Sequence, residues 1–170
     1  PEPTVDAILL ALLSVDPSYV AGWGVDPAHL IGTVSLDTDT YDITERATTG
    51  TASAKTMIYN AVATPEENAA DGSWARYSAT NHADPGDPDF LLVTQSKAPG
   101  RIASEERMAT LLGQDPATSV FRAPYDHEGI NAAVGSPTDQ SGETAAIMAF
   151  LEAKAGPLQP PTSRVSILKR

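Results

Sequence analysis

The chain has no cysteine, so disulfides and thiolate metal sites are excluded. It has no run of about 18 apolar residues, which leaves no candidate for a membrane-spanning helix. Residues 7–13 are apolar but few, and no basic region precedes them; a secretory signal is not expected. Basic residues are nearly absent from residues 1–50, where Arg46 stands alone against Glu2, Asp6, Asp16, Asp26, Asp37, Asp39, Asp42 and Glu45. With a net charge of −11 and no clustered Lys and Arg, the chain lacks what phosphate-backbone contact requires, and no direct nucleic-acid partner is expected.

What the chain does have is proline and glycine, 14 and 12 respectively, which point to a loop-rich globular protein. Thr4 followed by Val5, Ile8, Leu9, Leu12 and Leu13 gives a capped amphipathic helix; Leu9 and Leu12 are its expected core residues. Residues 33–36 and 40–44 alternate and predict two strands joined by the polar Asp37-Thr38-Asp39 turn. Residues 56–62 fit strand or helix, with strand preferred, and 74–79 predict a further strand. Residues 65–71 predict a polar helical turn. Residues 90–94 read as a short buried strand, and 119–122 as another. Ser104 and Ser141 are the expected caps of two later helices. The expectation is one α+β domain over residues 1–156, with a mostly antiparallel sheet.

Residues 157–170 follow a helix stop at Gly156 and carry Pro157, Pro160 and Pro161, which favour extended backbone. Pro160, Pro161, Arg164, Val165, Ile167, Leu168, Lys169 and Arg170 are the candidate interface: apolar side chains for strand addition, and bases to meet the acidic front of another copy. Fourteen extended residues reach about 45 Å at roughly 3.1–3.3 Å each.

Chemical motifs are sparse. Residues 50–56 suggest a phosphate loop, but Thr49 and Ala54 stand where its glycines are needed, so no cofactor is expected. The loop from His82 through Asp84, Asp87 and Asp89 offers one imidazole and three carboxylates, yet its spacing closes around no cation. Asp37, Asp39 and Asp42 start like a calcium loop and lack its glycine. The expectation is therefore no metal, with these residues capping turns. His29, beside Leu30, is expected to be partly buried. His127, flanked by Asp126 and Glu128, is the one candidate general base, with Ser96, Ser104 and Ser119 available as hydroxyls but no strained Gly-x-Ser-x-Gly elbow.

Two functions remain. The first is a non-enzymatic structural or assembly protein in a homo-oligomer. Its expected form is a bacteriophage virion component of the neck, tail-terminator or tail kind, built in the host cytoplasm. Its partners would be other copies of itself and neighbouring structural proteins, with no membrane. The alternative is a small hydrolase or ligand-binding domain using His127, Asp126 and Glu128.

Overall fold

The computed structural model describes residues 3–156. Each candidate interface residue from Pro160 to Arg170 lies outside the described residues, as does the boundary placed after residue 156.

Three strands make one sheet: β1 (Thr33–Leu36), β2 (Phe90–Gln95) and β3 (Val120–Ala123), in the order β1-β2-β3. Both pairs are parallel, with Thr33 opposite Phe90 and Leu92 opposite Val120. The expected antiparallel sheet is therefore incorrect. Parallel neighbours need long crossovers, and helices fill both. Between β1 and β2 lie α3 (Ile43–Thr49), α4 (Ala52–Ala61), α5 (Pro65–Asp71) and α6 (Ser73–Arg76). Between β2 and β3 lie α7 (Pro99–Leu111) and α8 (Pro116–Ser119). Before the sheet come α1 (Pro3–Val15) and α2 (Pro17–Gly22); after it come α9 (His127–Ala133) and α10 (Glu143–Ala155).

The three segments misread as strands fold as helices for identifiable reasons. Asp42 accepts a hydrogen bond from the Glu45 amide and starts α3 in the middle of the expected 40–44 strand. Thr51 caps α4 through the Ala54 amide, and the alanines at 52, 54 and 61 favour helix over the strand preference of Thr56, Ile58 and Tyr59. In residues 73–79 the buried set is Ser73, Trp74, Ser78 and Ala79, spaced by a helical turn rather than by two. The polar turn at 65–71 is helix α5, closed by a capping box between Thr64 and Glu67.

Side chains of β2 alternate between two cores. Phe90 and Leu92 pack with Ala11, Val15, Met108 and Leu112 from α1 and α7. Leu91 and Val93 pack with Ile130 and Ile147 from α9 and α10. The central strand is buried on both faces, as parallel strands between helical layers are. At Gly32 a Cβ would meet the Phe150 ring at 2.9 Å, so the glycine lets β1 approach α10. A third cluster joins Ile8 to Ile43, Ile58, Ala63 and Trp74, a helical annexe built from the β1–β2 crossover.

On α1 the buried stripe is Ile8, Ala11, Leu12 and Val15, at i, i+3, i+4 and i+7. Leu12 is buried as expected, whereas Leu9 is exposed, one residue off the stripe. His29 is exposed rather than partly buried. The helix capped by Ser104 begins earlier, at Pro99, because proline is pre-organised for a first helical turn.

Candidate functional site

All three strands end on the same side of the sheet, and the loops that follow them meet there. Ligand sites in open parallel sheets gather beyond this carboxyl edge. The residue directly after β1 is Asp37. Its backbone is left-handed, with φ 51°, the one non-glycine residue in that region among the described residues. Aspartate tolerates the conformation better than most residues, and such backbone is enriched at functional sites.

The Asp37 side chain is wholly buried and gathers groups from three other segments. From the end of β2, Gln95 donates its amide to Oδ1 at 3.2 Å and its side-chain Nε2 to Oδ2 at 2.8 Å. From the first turn of α7, Arg101 Nη1 lies 3.1 Å from Oδ2 and also donates to the Asp37 carbonyl. From the start of α9, His127 Nδ1 lies 2.9 Å from Oδ2. A buried charge is tolerable only when paired and hydrogen-bonded in this way.

Around this centre sits a tier of ion pairs. Asp39 binds Arg46 at 3.0 Å and Arg101 at 3.4 Å; Arg107 binds Asp42 and Glu45. These groups border a cleft of about 610 Å³ between α3 and the first turns of α7, where Thr80 and Ser104 also lie. Arg101 faces both the cleft and Asp37. Beneath the loop, Tyr41 and Glu105 are fully buried and joined at 2.6 Å. Burial, above all, and the neighbouring Asp37 push the Glu105 carboxyl well above its ordinary range, against the lowering effect of the Tyr41 hydrogen bond.

The side chain of His127 is about 30% exposed, and its Nε2 has no hydrogen-bond partner among the described residues. A carboxylate fixed on Nδ1 sets the tautomer and leaves Nε2 as the basic nitrogen. Chemically the group is an oriented base beside a guanidinium.

The sequence singled out His127 but gave it the wrong partners. Asp126 is exposed and caps α9 through the Gly129 amide; Glu128 is exposed. The loop at 82–89 is not brought together as a site. His82 Nε2 bonds the Arg76 carbonyl, Asp84 and Asp87 close a turn, and Asp89 pairs with Lys154. Among the described residues no three His, Asp or Glu side chains are grouped to hold a metal ion. Ser104 borders the cleft, whereas Ser119 bonds the Asp115 carbonyl and Ser96 sits exposed after β2. Lys55 is in helix α4 rather than a phosphate loop. No described helix is long and apolar enough to cross a membrane. Asp37, Gln95, Arg101, Tyr41 and Glu105 were not singled out as one site. The available signal was a polar residue closing each of two apolar strands, Asp37 after Leu36 and Gln95 after Thr94.

No protein-family model, curated protein or solved structure matches the chain.

Proposed function

We propose that the chain is a small hydrolase whose centre is the His127–Asp37 pair at the carboxyl edge of the sheet. The observation that carries this reading is a wholly buried carboxylate 2.9 Å from the Nδ1 of a partly buried imidazole, with Arg101 on the same oxygen. His127 Nε2 takes a proton from an attacking water as the water oxygen bonds to the electrophilic atom of the substrate. The proton then passes to the leaving group. Asp37 holds the ring and steadies the imidazolium that forms. Arg101 offsets the negative charge that develops on the substrate oxygen. The polar cleft is bordered by Arg101 but not by His127, so a substrate held there would meet the imidazole only by reaching past Arg101.

The test is hydrolysis of chromogenic carboxylic and phosphoric esters by the wild type, His127→Ala and Asp37→Asn, each checked for folding by circular dichroism. Loss of about 10²–10⁴-fold in turnover, the usual worth of a general base, is expected for His127→Ala. A folded His127→Ala protein with full turnover would remove the reading.

A second reading, a structural role in a homo-oligomer such as a phage virion, draws on a separate observation. Trp23 is 69% exposed, with Leu9, Leu10 and Ile31 each about half exposed. Large apolar side chains at the surface suit contact with other copies. Solution mass of the wild type and of Trp23→Ser tests it: an assembly that the substitution weakens supports the role, and a monomer at all concentrations counts against it.

A further inference from the structure

Four side chains under the Asp37 loop form a chain of oxygen contacts: Glu105 Oε2 to Tyr41 Oη at 2.6 Å, Tyr41 Oη to Ser35 Oγ at 2.7 Å, and Ser35 Oγ to Thr38 Oγ1 at 2.9 Å. Ser35, Thr38, Tyr41 and Glu105 are all buried, so water supplies none of the protons. A serine or tyrosine hydroxyl donates one proton. Hydroxyl hydrogens rotate to suit their neighbours, so the chain can run in either sense. With an ionised carboxylate the protons run from Thr38 to Ser35 to Tyr41 to Glu105; with a neutral carboxyl they run from Glu105 to Tyr41 to Ser35 to Thr38, the sense in which Ser35 donates to Thr38. Both senses satisfy the three contacts, so the other carboxyl oxygen decides between them.

The other carboxyl oxygen, Glu105 Oε1, is buried and has no hydrogen-bond partner among the described residues. An ionised carboxylate would carry charge on that bare oxygen, which costs far more than leaving a neutral carbonyl there. The charged and titratable groups that face Glu105 are Tyr41, Asp37 and Asp39 from the segment after β1, and Arg101 from its own helix. Asp37 and Asp39 are carboxylates, and Arg101 lies nearer to both of them than to Glu105, pairing with each.

We infer that Glu105 is a neutral carboxylic acid and a positioning residue, donating its proton to Tyr41 so that the chain Glu105–Tyr41–Ser35–Thr38 holds the loop that presents Asp37 to His127. The positioning role rests on the hydrolase reading, whereas the protonation state does not. The shifts of Glu105 and Tyr41, both raised chiefly by burial, agree with it. The sign of the pH effect follows. A folded-state carboxyl that keeps its proton above the unfolded value loses stability relative to the unfolded chain as pH rises. A glutamine, which donates without titrating, removes that loss.

The experiment is infrared difference spectroscopy of the full chain at neutral pH. It is run in a Glu143→Gln background, so that the other buried glutamate does not contribute. A carboxylic-acid C=O band is expected and is lost on adding Glu105→Gln. Tyr41→Phe should shift that band without removing it, which serves if the glutamine variant does not fold. The melting-temperature advantage of Glu105→Gln over its parent should widen as pH rises. Absence of the band at neutral pH, or a band that neither substitution moves, overturns the inference. Where ester hydrolysis is measurable, Glu105→Leu, which cannot donate, should lower turnover, and Glu105→Gln should recover most of it and lose less at alkaline pH. Full turnover in a folded Glu105→Leu protein, with the band assigned to Glu105, would overturn the positioning role alone. If no hydrolysis is found, the hydrolase reading falls while the infrared and melting results still decide the protonation state.

Discussion

Two places in the molecule set a buried glutamate beside a heavily hydrogen-bonded aspartate, and they are built for different ends. At the carboxyl edge of the sheet the pair is Asp37 and Glu105; at the start of α10 it is Asp139 and Glu143. Asp139 accepts from the Ser141 amide and hydroxyl, the Thr144 amide and the Tyr125 hydroxyl. These hold its carboxyl well below the usual range, led by the Ser141 hydroxyl. All those partners lie within fourteen residues of it in the chain. Asp37 instead draws on Gln95, Arg101 and His127, up to ninety residues away. Glu143 is buried with neither carboxyl oxygen hydrogen-bonded among the described residues, whereas Glu105 is tied into a hydroxyl chain. A local knot of neutral donors closes a helix start. A convergence of a carboxylate, a guanidinium and an imidazole from four segments has a cost that helix closure does not require.

That contrast is broken most directly by Asp37→Ala, which strands Arg101 and His127 against a buried space. A loss of about 3–5 kcal/mol is expected, as for removing one partner of a buried ion pair, read from urea midpoints. A loss below about 1 kcal/mol would place Asp37 with ordinary surface pairs. Next comes the pH dependence carried by Glu143, whose carboxyl is pushed from the ordinary 4.5 up to about 7 by burial first and Asp139 second. The folded state holds this proton where the unfolded state has released it, so stability should fall as pH rises from about 4.5 to about 7. Glu143→Gln should flatten that part of the curve; an unchanged curve would mean that the glutamate reaches water. The smallest change belongs to Asp139→Ala, expected to cost about 0.5–2 kcal/mol as a lost helix-start acceptor. It should leave hydrolysis and the Glu105 infrared band untouched, and a change in either would tie the two pairs together.

Strand locations were legible in the sequence where burial and β-branching coincide, as at 33–36 and 90–94, and the last helix was legible from its stop at Gly156, although Gly142 rather than Ser141 is its N-cap. Strand direction was not. It depends on what fills residues 37–89, and 56–62 satisfies both periods because Thr56, Ile58 and Tyr59 sit among alanines. The distinction between Leu9 and Ile8 also lay beyond the pattern, since five apolar residues on one stripe leave its rotation to the neighbours it meets. Of the site, His127 could be singled out because histidine is rare here. Its carboxylate could not, because a parallel sheet brings together residues that adjacency in sequence never associates. Asp37 looked like a turn residue, and its backbone is indeed turn-like; what its side chain does is decided by β2, α7 and α9.

The order of strands has a consequence for how the protein comes off the ribosome. Among the described residues β2 is the one strand paired on both edges, and β1 waits through the helices and loops of residues 37–89 before it has anything to pair with. A nascent chain that has released α7 already owns Asp37, Gln95, Arg101 and the Glu105 hydroxyl chain, but not the imidazole. The base arrives only when β3 has docked and α9 has begun. Until then the carboxyl edge holds its charges without the imidazole, so a chain stalled before residue 127 would lack the base that the proposed hydrolysis requires.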